Sequence, residues 1–181
     1  KGLLYVSGPS VMLGYFNNPD ETEKVITYDK DGKKWCNLGD YIQQTETGEY
    51  KYVGRQKRNF VSGIENIYPE ELENLIISLP EVREILITAI PDEIRQFIPS
   101  YHISLYDRNL DIGSFEKKLK SFVKNNLSEN WLPGYIEYCY EPLKKMSNSK
   151  VDIPYYQSKD LEAMDNTVIQ ERKEKLLVLK K

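Results

Sequence analysis

The sequence predicts an α+β protein in which a β-rich stretch leads into a small domain with a three-stranded sheet layered with helices. Three observations carry this. Up to Val53 the chain consists of short extended runs punctuated by Gly8-Pro9 and Asn18-Pro19 turns. From Pro69 onward the patterns follow the order helix, strand, strand, helix, strand. Between them lies GRQKRNFVSGIENIYPEELE, residues 54–73, which has the character of a hinge.

In order, Gly2–Ser7 is a β-rich run, and Pro19-Asp20-Glu21-Thr22 starts a short helix carrying Val25 and Ile26. Asp29-Lys30-Asp31-Gly32 is a polar turn before Trp35–Asp40, WCNLGD. Tyr41–Gln44 and Tyr50–Val53 flank Thr45–Glu49 as a hairpin. Gly63 suits a tight turn between two short extended pieces, Asn59–Ser62 and Asn66–Tyr68.

Pro69 at a first helical turn, with Glu70, Glu71 and Glu73 behind it, places carboxylates at an electropositive helix start. Leu72, Leu75, Ile76 and Leu79 recur at helical spacing and extend that helix to about Leu79, before Pro80. Val82–Ile90 is a buried-strand run that Pro91-Asp92 closes, and Ser100–Tyr106 is a second strand. His102 within it reads as structural. Phe115, Leu119, Phe122, Val123 and Leu127 mark an amphipathic helix, with Ser114 a better cap than Asp111. Trp131-Leu132-Pro133-Gly134 breaks it, and Tyr135–Tyr140 is the third strand.

The 181 residues are 40% hydrophobic with a formal net charge of −3. That balance argues against non-specific nucleic-acid binding, which needs a basic footprint. Cys36 and Cys139 have no CxxC partner and His102 is the single histidine, which argues against a structural metal site and a Ser-His-Asp triad. Two cysteines without a signal peptide fit a cytoplasmic protein. No run of about twenty apolar residues is present. The chain opens at Lys1 inside a strand pattern without a methionine, which reads as the edge of a fragment.

The motifs add a resemblance. Gly2–Thr22 resembles a segment of the form GELxVxGPxVMxGYxxNPxxT, with Leu3 at the usually acidic position. WCNLGD resembles W-x-x-T-G-D with Leu38 for threonine, Ser62–Glu73 resembles S-G-x-E-N-x-Y-P-x-E-x-E, and Leu143–Asp152 resembles LPxTxxGKxD. In this order they resemble the C-terminal portion of the AMP-forming adenylating enzymes: acyl-CoA synthetases, amino-acid adenylation domains and luciferases.

The resemblance implies residues 1–54 as the end of a large AMP-binding domain, 55–58 as a hinge with Lys57 its pivot, and 59–155 as a mobile lid. Residues 156–181 are then a helical tail or linker, with Leu161, Met164 and Val168 on one face and an LLVL cluster at Leu176–Leu179. It further implies that Asp40 accepts both ribose hydroxyls of an adenylate, that Arg55 reaches the same ribose, and that Lys150 swings over the nucleotide during adenylation. A carboxylate can take two hydroxyl donors at once, and a cation offsets the meeting of carboxylate and α-phosphate.

Ser62, Gly63, Glu65 and Asn66 become a thiol-acceptor surface, with Ile64 in place of the usual small residue. The implied cofactors are ATP/AMP, Mg2+ bound with the large domain, and coenzyme A or phosphopantetheine as acceptor. The partners are a small carboxylic acid, ATP, and coenzyme A or a carrier protein; nucleic acid and a membrane span are not expected. Ser149 and Lys144 depart from the usual glycine and proline. Two alternatives stand beside an acid–thiol ligase fragment that is inactive alone: a module of a carrier-charging multidomain synthetase, and a non-catalytic interaction protein retaining the lid fold.

Overall fold

The computed structural model describes residues 1–164. It divides into two compact units, Lys1–Asn59 and the chain from Phe60 onward.

The first unit is an antiparallel sheet centred on β3 (Lys34–Gln44), which pairs with β1 (Gly2–Val6), β2 (Ile26–Tyr28) and β4 (Tyr50–Arg55). The WCNLGD motif and the expected Tyr41–Gln44 strand merge into one eleven-residue strand. Gly39 sits inside it at φ +71, a left-handed conformation that glycine takes without Cβ strain. Helix α1 (Pro19–Val25) is capped by Asn18, whose Oδ1 accepts from Glu21 N–H, and Pro19 opens it. Ile26, expected on that helix, instead begins β2 opposite Cys36, where it is buried.

The second unit holds a five-stranded sheet in which β8 (Gln96–Leu105) pairs antiparallel with β7 (Val82–Asp92) and parallel with β9 (Tyr135–Cys139). A short hairpin, β5 (Phe60–Ser62) and β6 (Glu65–Ile67), joins through Ser62 opposite Gln96. The three expected strands are thus joined in one sheet by two of three residues each, which overlap the extended pieces Asn59–Ser62 and Asn66–Tyr68 expected on either side of Gly63. The β7–β8 hairpin also runs through Pro91 and Pro99, which were expected to lie outside the strands. β7 is the edge of the sheet, where a missing N–H costs little, and Pro99 precedes the ladder to β9.

Helix α2 (Pro69–Ile76) buries Pro69, Leu72 and Ile76. It stops three residues before Leu79, where bonds from Ser78 to Leu75 and from Leu79 to Ile76 tighten the last turn. Helix α3 (Ile112–Asn126) buries Phe115, Leu119 and Val123. Its cap is Asp111, whose carboxylate accepts from Gly113 and Ser114 N–H, and Ser114, the expected cap, donates its hydroxyl to Asp111.

Residues 153–164 form α4. It packs through Tyr156 and Asp160, both buried and one turn apart, while Leu161 is exposed. Asp160 accepts hydrogen bonds from Thr88 and Ser100 and lies 3.2 Å from His102 Nε2. His102 Nδ1 is 3.0 Å from Glu137, so the histidine ties α4 and β9 to the middle of the sheet. Val168 and the Leu176–Leu179 cluster lie outside the described residues.

Candidate active-site elements

In the first unit, strand register makes Asp40 on β3 and Arg55 on β4 direct cross-strand partners. Arg55 Nη1 donates to Asp40 Oδ1 at 2.6 Å. The arginine side chain is 56% exposed and the aspartate 21%, so both acceptor and donor fork retain faces toward solvent. Gly39 helps set this pair, because its carbonyl accepts from Gln56 N–H at 2.7 Å and draws the chain leaving β4 against β3. Leu38 beside it is 40% exposed and presents an aliphatic side chain where the resemblance has a hydroxyl. Lys57 follows in an exposed turn closed by Arg58 N–H on Arg55 C=O, immediately before the boundary at Asn59.

In the second unit, Ser62, Gly63, Glu65 and Asn66 lie on the β5–β6 hairpin. They do not face alike. Ser62 is buried, and its hydroxyl has no hydrogen-bond partner among the described residues. Gly63 takes φ +62 in the turn, and Asn66 is exposed. Glu65 turns back to accept from Ser128, Asn130 and Trp131. The Ser128 hydroxyl foremost, then the Asn130 and Trp131 donors, outweigh burial and hold its carboxyl below the ordinary glutamate value. Sequence reasoning missed this, since a glutamate in a turn motif carries no mark of distant donors.

Lys150 stands on its own tight turn, exposed. Lys145 and Val151 bridge its base, Met146 N–H donates to Lys150 C=O at 2.8 Å, and Lys150 N–H donates to Asn148 Oδ1. Ser149 at the turn has φ +63, the conformation that explains the glycine usual there. The Lys144 N–H donates to Tyr156 Oη at 2.9 Å, a bond the usual proline could not make. Leu143 N–H and the Lys145 ammonium both bind Glu84, fixing the start of the turn to β7. The structure therefore joins Asp40 to Arg55, and places the β5–β6 hairpin and Lys150 on separate elements of the second unit. Among the described residues, no group of three or more His, Cys, Asp and Glu side chains could hold a metal ion.

No family model matches the chain. Among curated proteins it is 34% identical over 137 residues to the mitochondrial medium-chain acyl-CoA ligase ACSF2 of Homo sapiens, covering 76% of this chain and 21% of that enzyme. It is 30% identical over 150 residues to a long-chain-fatty-acid–CoA ligase of Escherichia coli, covering 83% of this chain and 25% of the ligase. The chain thus spans a fifth to a quarter of the length of these relatives.

Of the solved structures, o-succinylbenzoate CoA synthetase from Bacillus subtilis, crystallised with its acyl-adenylate intermediate, matches 83% of this chain and 29% of its own at TM-score 0.67 and 26% identity. The amide bond synthetase McbA from Marinactinospora thermotolerans has the same fold over 87% of this chain and 30% of its own, at TM-score 0.73 and 20% identity. With sequence and fold in agreement, the chain belongs to the AMP-forming adenylating enzymes, as a homologue of their C-terminal portion.

Proposed function

We propose that this chain is the C-terminal portion of an ATP-dependent acid–thiol ligase, with residues 1–54 completing the AMP-binding domain, 55–58 a hinge, 59–155 the lid and 156–181 a tail. The observation that carries this is the Asp40–Arg55 pair, set side by side by strand register on the motif strand of a chain similar to acyl-CoA ligases.

In the first step a carboxylate oxygen attacks the α-phosphorus of ATP, the bond to pyrophosphate breaks, and an acyl-adenylate forms. Asp40 receives the ribose hydroxyls and Arg55 supports the same sugar. Lys150 brings a positive charge to the crowded anions, and an exposed lysine on a narrow turn can enter and leave such a site. In the second step a thiol sulfur, its proton lost, attacks the acyl carbonyl, and AMP departs with the bonding electrons. Rotation at Lys57 exchanges the Lys150 turn for the β5–β6 hairpin between the steps.

The acceptor is a pantetheine thiol, of coenzyme A or a carrier protein. One relative, the fatty acid–[acyl-carrier-protein] ligase MmaC of Mycobacterium marinum, is 37% identical over 91 residues, which keeps the carrier reading in play. Mg2+ finds no ligand set among the described residues, and Asp40, Arg55 and Lys150 act on the nucleotide directly. Among those residues no helix is long and apolar enough to cross a membrane, and a cytoplasmic site of action accords with the cysteine content.

The test is to incubate the full-length protein carrying this chain with ATP, a panel of carboxylic acids and, in separate reactions, coenzyme A or a phosphopantetheine-bearing carrier protein. Formation of AMP, pyrophosphate and an acyl thioester in equal amounts is expected. No reaction with any acid and either acceptor would support the non-catalytic reading instead, and ATP hydrolysis that no acid stimulates would contradict the ligase reading. Residues 1–181 alone are expected to exchange no pyrophosphate.

A further inference from the structure

The β5–β6 hairpin turns through Gly63 and Ile64, and Ile64 is 95% exposed at its tip. Strands of three residues give such a hairpin little stability of its own. Its tip is nevertheless fixed from two sides. Gly63 N–H donates to Arg95 C=O at 2.9 Å on the neighbouring hairpin. Opposite, the Glu65 carboxylate accepts from Ser128 Oγ at 2.8 Å, Asn130 Nδ2 at 2.9 Å and Trp131 Nε1 at 3.0 Å. A carboxylate offers about four acceptor sites, so three donors nearly fill it and leave little to offer a ligand.

The Lys150 turn is held by different groups, Glu84 and Tyr156. The elements assigned to the two half-reactions therefore have separate anchors. Loosening one leaves the other in place.

We propose that Glu65 is a positioning residue for thiol transfer rather than a contact for the acceptor: bound to the Ser128–Trp131 segment, it holds the Gly63–Ile64 tip in the shape that receives the thiol. The Ile64 side chain, not the glutamate, meets the acceptor. This rests on the ligase reading above.

The experiment measures both half-reactions in the full-length enzyme with Glu65→Gln, which keeps the side chain's size but puts an amide N–H₂ in place of one of the two oxygens that accept from Ser128, Asn130 and Trp131. Acid-dependent pyrophosphate exchange should stay within about twofold of the parent, while kcat for thiol transfer falls on the order of tenfold at nearly unchanged thiol KM. The paired exchange Glu65→Gln with Asn130→Asp restores a donor facing an acceptor and should recover most of the loss. An active parent whose Glu65→Gln variant loses both steps equally, or neither, overturns the inference alone. A parent that exchanges no pyrophosphate refutes the ligase reading itself, and the inference falls with it.

Discussion

Arg55 reaches across one strand spacing to Asp40, Nη1 to Oδ1 at 2.6 Å, and the two groups assigned to one ribose are thereby each other's partner. A sugar entering here shares the Asp40 carboxylate with the guanidinium rather than meeting a bare anion. With the arginine 56% exposed, the pair itself adds no more than about 0–1 kcal/mol to folding.

Function and stability should therefore separate at Asp40. Asp40→Ala removes two hydroxyl acceptors worth about 0.5–1.5 kcal/mol each, so AMP affinity of the full-length enzyme should fall roughly ten- to a hundredfold. The unfolding free energy should change by less than about 1 kcal/mol. Calorimetric titration with AMP and urea unfolding check the two halves. A large loss of stability with unchanged affinity would make the pair purely structural.

Ser149 holds φ +63 with a Cβ attached, a conformation that costs an ordinary residue about 1 kcal/mol or more. Ser149→Gly removes that strain at some cost in unfolded-chain entropy, leaving a net gain of about 0.5 kcal/mol. Slower hydrogen exchange of the Met146 and Ser149 amides, which close this turn, is the expected signature.

Acid should weaken the second unit in a defined window. Burial pushes the Glu137 carboxyl up, but hydrogen bonds from Lys159 and His102 prevail and hold it below its ordinary 4.5, and Glu65 is likewise depressed. Carboxyls depressed on folding contribute stability that is present above pH 4.5 and lost as pH falls through their folded values. Lys159 is raised above 10.5, its bond to Glu137 outweighing burial, and its share disappears only as pH rises beyond that. The urea midpoint should thus decline below pH 4.5, and more shallowly in Glu137→Gln and Glu65→Gln. Parallel curves for parent and variants would contradict the assignment.

Much of this was legible in the residues. Pro69 with Leu72 and Ile76 marked α2, and Phe115, Leu119 and Val123 marked α3, because each helix buries one face at a regular spacing, while Val82–Ile90 marked a strand as a continuous apolar run whose consecutive Leu86, Ile87 and Thr88 are all buried. Helix α4 packs through Tyr156 and the acid Asp160, and a buried acid breaks the apolar pattern that would reveal the packed face. The Asp111 cap was passed over for Ser114 because both types cap helices and only the observed bonds decide between them. At the site, Asp40, Arg55 and Lys150 stood out by motif. Glu65 stood out by motif as well, as part of the thiol-acceptor surface, but its three partners come from a segment after α3 that no local pattern links to the hairpin.

The most direct measurement is acid-dependent pyrophosphate exchange by Lys150→Ala in the full-length enzyme, alongside thiol transfer from acyl-adenylate supplied ready-made. If Lys150 neutralises charge only while the adenylate forms, exchange falls on the order of 10²–10³-fold and transfer from the supplied adenylate persists. Exchange at the parental rate, or equal loss of both steps, would contradict a lid lysine dedicated to adenylation.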